Sequence, residues 1–196
     1  MIRPDIKYGV VPCSEISIDE RELAARLGSG LGYSSDTLNS IISQFNDKVI
    51  YRYAYSVLPV KVLDNTCDFG FAKVESHDLS CILSSCQRAI FLAVTTGIET
   101  DRLIHRLERS SRSDAFFADS VGSAAIESFC NLICRRLANE LPITKRFSPG
   151  YGDLPLEFQR DLLGRLDAHA SVGITLNSSL LMTPMKSITA IIGINN

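Results

Sequence analysis

The sequence has no apolar run approaching the ~20 residues needed to cross a bilayer. Its longest candidate, Ala89 to Val94, is far too short, and the opening Met1-Ile-Arg-Pro-Asp-Ile-Lys lacks the apolar stretch of a secretory signal. It also lacks an excess of charge. Twenty Lys and Arg face 22 Asp and Glu, a net charge of -2, so no overall field draws in nucleic acid or an anionic membrane. None of the six cysteines (Cys13, Cys67, Cys81, Cys86, Cys130, Cys134) forms a C-x-x-C pair, and His77, His105 and His169 show no zinc spacing. Reduced thiols and a cytoplasmic location are therefore expected. The glycine-rich nucleotide-binding turn and the Walker lysine are missing, as are internal repeats and low-complexity tracts.

What is there suits a folded core: 196 residues, 45% of them hydrophobic. One domain over residues 1–196 is expected, with an N-terminal α/β portion, 1–114, and a second portion, 115–196. Ser17 followed by Glu20 resembles a capping box opening a helix that Gly28, Gly30 and Gly32 stop. Ser34-Ser35-Asp36 caps a second helix, whose Leu38, Ile41, Ile42 and Phe45 keep 3.6-residue spacing. Val49 to Leu63 is rich in β-branched and aromatic residues, with Tyr51, Tyr53 and Tyr55 alternating as on one face of a sheet. A short strand over Phe71 to Val74, a helix capped by Ser76, a buried strand over Arg88 to Thr95 and a helix from Ile98 to Leu107 follow. A long helix from about Asp114 ends at Pro142, and Asp153 with Pro155 opens another. Ser171 to Leu176, Leu180 to Met182 and Ser187 to Ile194 are β-like. Helices and strands interleave without a βαβ period, which predicts an α+β fold with a mostly antiparallel twisted sheet flanked by helices.

Between two of these helices, Arg146-Phe-Ser-Pro-Gly-Tyr-Gly-Asp-Leu-Pro155 sets an arginine, a tyrosine, two prolines and two glycines in ten residues. Prolines fix φ and glycines open other conformations, so Arg146 and Tyr151 would project from a defined turn. Taken alone, the loop reads more simply as a packed connector in which Arg146 pairs with a surface carboxylate and Tyr151 buries its ring. The downstream sequence shifts that balance. Arg146, Pro149-Gly150-Tyr151 and Pro155, followed by Gly173-Ile-Thr-Leu, Ser179-Leu-Leu-Met182, Pro184 and Ser187-Ile, resemble the activation domain of vitamin B12-dependent methionine synthase. The likeness covers residues 115 to 194 and weakens upstream.

The resemblance implies a free-standing activation protein that binds S-adenosylmethionine and docks on the cobalamin module of methionine synthase or another corrinoid protein. There it would support reductive methylation of cob(II)alamin, with an electron from flavodoxin or a similar donor and no turnover of its own. The implied cofactor-binding residues are Arg146, Pro149, Gly150, Tyr151 and Gly152, with no catalytic side chain and no metal ligand. Arg146 would hold the methionine carboxylate, Gly150 would let the backbone approach, and Tyr151 would face the corrin. The large synthases carry Ala-Cys where Asp153-Leu154 stands here, and tyrosines beyond the last strand that this sequence, ending at Asn196, does not contain. A family acidic position falls on Ser123, with Glu127 one turn on, and Asp19 is a candidate for the ligand-binding aspartate near the N-terminus. Two alternatives remain: a scaffold that keeps the fold without the ligand, and an independent S-adenosylmethionine-dependent methyltransferase.

Overall fold

The computed structural model describes residues 3, 5–28 and 35–195. Strand β1 (Lys7–Val11) leads through α1 (Glu20–Leu27) and α2 (Ser35–Asn46) to β2 (Tyr51–Pro59). A meander of β3 (Lys61–Leu63), β4 (Thr66–Asp68) and β5 (Lys73–Glu75) precedes α3 (His77–Leu83), β6 (Cys86–Thr95), α4 (Ile98–Glu108) and α5 (Arg112–Glu140). Then come β7 (Ile143–Phe147), α6 (Phe158–Arg165), α7 (Ala168–Val172), the short pair β8 (Thr175–Leu176) and β9 (Met182–Thr183), and β10 (Ser187–Asn195).

The main sheet runs β1-β2-β6-β10-β7, with every neighbouring pair antiparallel. This is the α+β architecture that the interleaved sequence pattern predicts. Side chains of a strand alternate between faces, and β6 buries both sets. Ile90, Leu92 and Val94 pack with α1, α2, α4 and α5. Ala89, Phe91 and Ala93 pack with α3, α6, α7 and the small β3-β4-β5 sheet. Tyr51 lies against Phe129 of α5 at 5.0 Å between ring centres, so this tyrosine belongs to the core.

Several local expectations change. The cap of α1 is Asp19, whose carboxylate accepts from the Arg21 and Glu22 N–H groups at 2.8 and 3.1 Å; Ser17 lies outside the helix. Asp19 is thereby committed to a helix end 109 residues in sequence from Ser128, whose hydroxyl accepts its N–H. Gly28 does end α1, whereas Gly30, Gly32 and Ser34 fall outside the described residues. Val49 to Leu63 is divided between two sheets, because Pro59 cannot extend the ladder as a donor. The Ser171 to Leu176 run is split, its first two residues closing α7 and its last two forming β8.

The correction that bears most on function concerns residues 143 to 147. Arg146 is on strand β7, paired with Ile192 of β10, and does not sit in a helix-to-helix loop. Asp153 does not open α6. Its Oδ1 accepts from the Ser76 hydroxyl at 2.5 Å and the Asp78 N–H at 3.2 Å, and its Oδ2 accepts from the His77 N–H at 2.7 Å. These bonds, the Ser76 hydroxyl first, hold the Asp153 carboxyl below its ordinary pKa. The segment after β7 is thus tied to the N-terminus of α3.

Candidate functional site

Strand alternation directs Arg146 toward α5, and Phe147, its neighbour, toward the opposite core. Arg146 Nη2 donates to Glu127 Oε2 at 2.6 Å, with the two side chains 29% and 31% exposed. The pair is therefore neither free in water nor fully desolvated. Arg146 Nη1 is buried and has no hydrogen-bond partner. A buried guanidinium nitrogen left unpaired costs free energy, and this one is carried by the same group that Glu127 holds in place. Burial pulls the Arg146 pKa down, but Cys130 and then Glu127 beside it more than offset this, so it is raised and the group stays cationic.

The next turns of α5 bring Cys130 and Cys134 to the same arginine. The Cys134 thiol pKa is pulled down, first by the neighbouring Cys130 and then, against burial, by Arg146. That of Cys130 is raised by Cys134 and by burial.

After β7 the chain folds into interlocked turns. The Tyr151 N–H donates to Ser148 O at 3.1 Å, the Leu154 N–H to Tyr151 O at 3.0 Å, and the Gly150 N–H to Leu154 O at 2.9 Å. Leu154 is 2% exposed and anchors the turn, while Tyr151 is 66% exposed. Gly150 and Gly152 have φ of 88° and 53°, the region that glycine alone enters freely. A Cβ on Gly152 would stand 2.1 Å from Asp78 Oδ2. Gly152→Ala is therefore expected to cost about 1 to 2 kcal/mol in chemical unfolding, from backbone strain plus the contact. Adding Asp78→Ala should recover only the contact part.

Beside this turn lies a cavity of about 340 Å³, lined by Glu127, Arg146, Phe147, Ser148, Pro149, Tyr151, Gln159, Met182, Ser187, Ile188 and Thr189. Three of the five residues expected in the site, Arg146, Pro149 and Tyr151, border it. Gly150 and Gly152 do not: Gly150 backs onto Leu156, and Gly152 turns toward α3. The downstream segments converge here as well, through Met182, Ser187 and Ile188. Ser123 points elsewhere and accepts from Lys186 Nζ at 2.8 Å, beside Asp119 at 2.6 Å. The connector reading is met halfway, since Arg146 has a carboxylate partner but Tyr151 does not bury its ring.

Gln159 and Thr189, which also line the cavity, were not legible as such in the sequence. Gln159 is 5% exposed on α6; its Nε2 donates to Leu180 O at 3.3 Å, and its Oε1 accepts from the Thr189 hydroxyl at 3.5 Å. The one available signal was an amide on the apolar stripe of a helix. Leu180 adopts φ of 63°, so Gln159 holds a strained turn at the β8–β9 connection whose Met182 lines the cavity. Among the described residues, no group of three or more His, Cys, Asp or Glu is placed to hold a metal ion. No described helix is long and apolar enough to cross a membrane.

No protein-family model and no curated protein sequence matches the chain. Among solved structures, the crystal structure of the MetH reactivation domain bound to AdoHcy superposes with a TM-score of 0.71. The two are 14% identical, and the match covers 96% of this chain and 78% of that one. Likeness at this identity establishes a shared fold.

Proposed function

We propose that the chain binds S-adenosylmethionine in the Arg146 cavity and supports reductive methylation of cob(II)alamin held by a corrinoid protein. The partner under this reading is a cobalamin-dependent methionine synthase without an activation domain of its own, served by flavodoxin or a similar electron donor. One observation carries the proposal: the Arg146–Glu127 ion pair borders a cavity, in a fold shared with a domain whose crystal structure is of the AdoHcy complex.

The residues present fit such a ligand. An amino-acid end is zwitterionic, and Arg146 with Glu127 offers both signs side by side: guanidinium for a carboxylate, carboxylate for an ammonium. Phe147, Pro149, Met182 and Ile188 supply apolar wall, and Ser148, Gln159, Ser187 and Thr189 supply hydrogen bonds. About 340 Å³ is within the range of small-molecule sites. When bound, S-adenosylmethionine supplies an activated methyl group. The chain's own contribution is to orient that ligand and exclude competing reactions, so no side chain here need act as a general base.

Tyr151, Leu156 and Leu181 are exposed near this cavity at 66%, 39% and 65%, an apolar border suited to a partner surface. Tyr151→Ala should leave S-adenosylmethionine affinity within about threefold of wild type. It should raise the concentration needed for half-maximal activation of the partner about tenfold, the scale of an interface hot spot. The assay is recovery of the methylcobalamin spectrum from partner protein, cob(II)alamin, reductant and S-adenosylmethionine. Recovery that is equally fast without this chain overturns the proposal. Methylation of another substrate without the corrinoid partner would favour an independent methyltransferase. The exposed border also suits a scaffold without ligand binding, which would show partner binding but none of S-adenosylmethionine.

A further inference from the structure

On the exposed side of α3, three side chains stand in a line that the Arg146 cavity does not use. Cys81 Sγ lies 3.6 Å from His77 Nε2, one helical turn back, and His77 Nδ1 lies 3.1 Å from Asn65 Oδ1 in the β3–β4 turn. An amide oxygen only accepts, so Nδ1 carries its proton toward Asn65, and in the neutral ring the Nε2 lone pair faces the thiol. Backbone bonds fix the arrangement: the His77 N–H donates to Asp153 Oδ2 at 2.7 Å, and Asn65 O accepts from the Ser76 N–H at 2.8 Å. Cys81 is also the exposed thiol, whereas Cys67, Cys86 and Cys130 are buried and Cys13 and Cys134 half-buried.

The geometry points to Cys81 as a modification site that takes up a thiol group from a low-molecular-weight disulfide, with His77 as its base and Asn65 orienting that base. Disulfide exchange is the chemistry suited to this setting. Acyl transfer needs preorganised donors around a developing oxyanion, sheltered from water. Exchange needs a thiolate, an open line of approach and a leaving thiolate. In the step, the Cys81 proton passes to His77 Nε2 and the Cys81 sulfur attacks one sulfur of RSSR. The Cys81–SR bond forms as the S–S bond breaks, and the departing thiolate takes the proton from His77 and leaves as RSH. Cys81 is oxidised and the disulfide reduced, so electrons and atoms balance.

The test is incubation with oxidised glutathione, followed by intact mass and peptide mapping over time. A single adduct on Cys81 is expected, forming at least about fivefold faster than any on Cys13 or Cys134, because Cys81 is the exposed thiol and has the His77 ring nitrogen beside it. His77→Gln should slow it at least about tenfold, less than the hundredfold or more that a positioned base supplies in enzymes. Asn65→Ala should slow it less, in the same direction. The backbone cap made by His77 survives His77→Gln, and an unchanged far-UV spectrum verifies the fold. Labelling of Cys134 or Cys13 at a comparable rate, no adduct on Cys81, or a wild-type rate in His77→Gln would each overturn the assignment.

Discussion

Arg146→Ala is expected to weaken S-adenosylmethionine binding by roughly 1.5 to 3 kcal/mol, or about 10- to 150-fold in Kd, the scale of a hydrogen bond to a charged group. Two effects act together. The ligand loses a guanidinium that borders the cavity, and Glu127 keeps a half-buried carboxylate without its partner at 2.6 Å. The second effect also penalises the free protein, so Kd should be read beside the unfolding free energy of each variant. Arg146→Lys separates charge from geometry. A lysine keeps the positive charge but has no planar fork, and should recover only part of the affinity. Unchanged Kd in Arg146→Ala would remove this arginine from the site.

Phe91→Ala should lower the unfolding free energy by about 3 to 5 kcal/mol, the range for truncating a fully buried aromatic ring. Phe91 is 0% exposed at the centre of β6. Its ring meets Phe69 edge-on at 4.9 Å, Phe71 at 5.3 Å and, more distantly, Phe158 of α6 at 6.4 Å. Deleting it opens a cavity between the sheet, the β4–β5 connection and α6. Since Gln159 follows Phe158 and lines the Arg146 cavity, the same change should loosen the cavity wall as well as the fold. Urea unfolding measures the first effect. A loss below about 1 kcal/mol would mean that the cluster collapses around the gap or that the ring is not buried.

The elements readable from sequence were those whose signals are local. Ser76 caps α3 as its spacing suggests, with the Leu79 N–H donating to its hydroxyl at 3.1 Å. The continuous apolar run of β6 and the stripe of α5 announce burial directly. The elements that were misread depend on distant partners. Asp153 carries a helix-opening signal next to Pro155, yet it caps α3 some 75 residues earlier, a use that no local pattern records. Strand β7 is an edge strand of five residues bearing Lys145 and Arg146, too short and too polar to alternate visibly. Its placement changes the character of Arg146, from a side chain projecting off a turn to one fixed by the sheet against α5.

The site shows the same division. Arg146, Pro149 and Tyr151 could be named because proline, glycine and a lone arginine in one loop are conspicuous, and because the downstream segments resemble a known domain. Glu127, noted as an acidic residue one helical turn from Ser123, acquires its role only when β7 is laid beside α5. Gln159 and Thr189 come to line the cavity only once α6 and β10 are packed together.

The most direct test of the central claim is calorimetric titration of the protein with S-adenosylmethionine up to millimolar concentration. Binding at the Arg146 cavity predicts saturable heat for one site per chain, greatly weakened in folded Arg146→Ala. Absence of both heat and a thermal shift at millimolar ligand, or identical isotherms for wild type and variant, would contradict it.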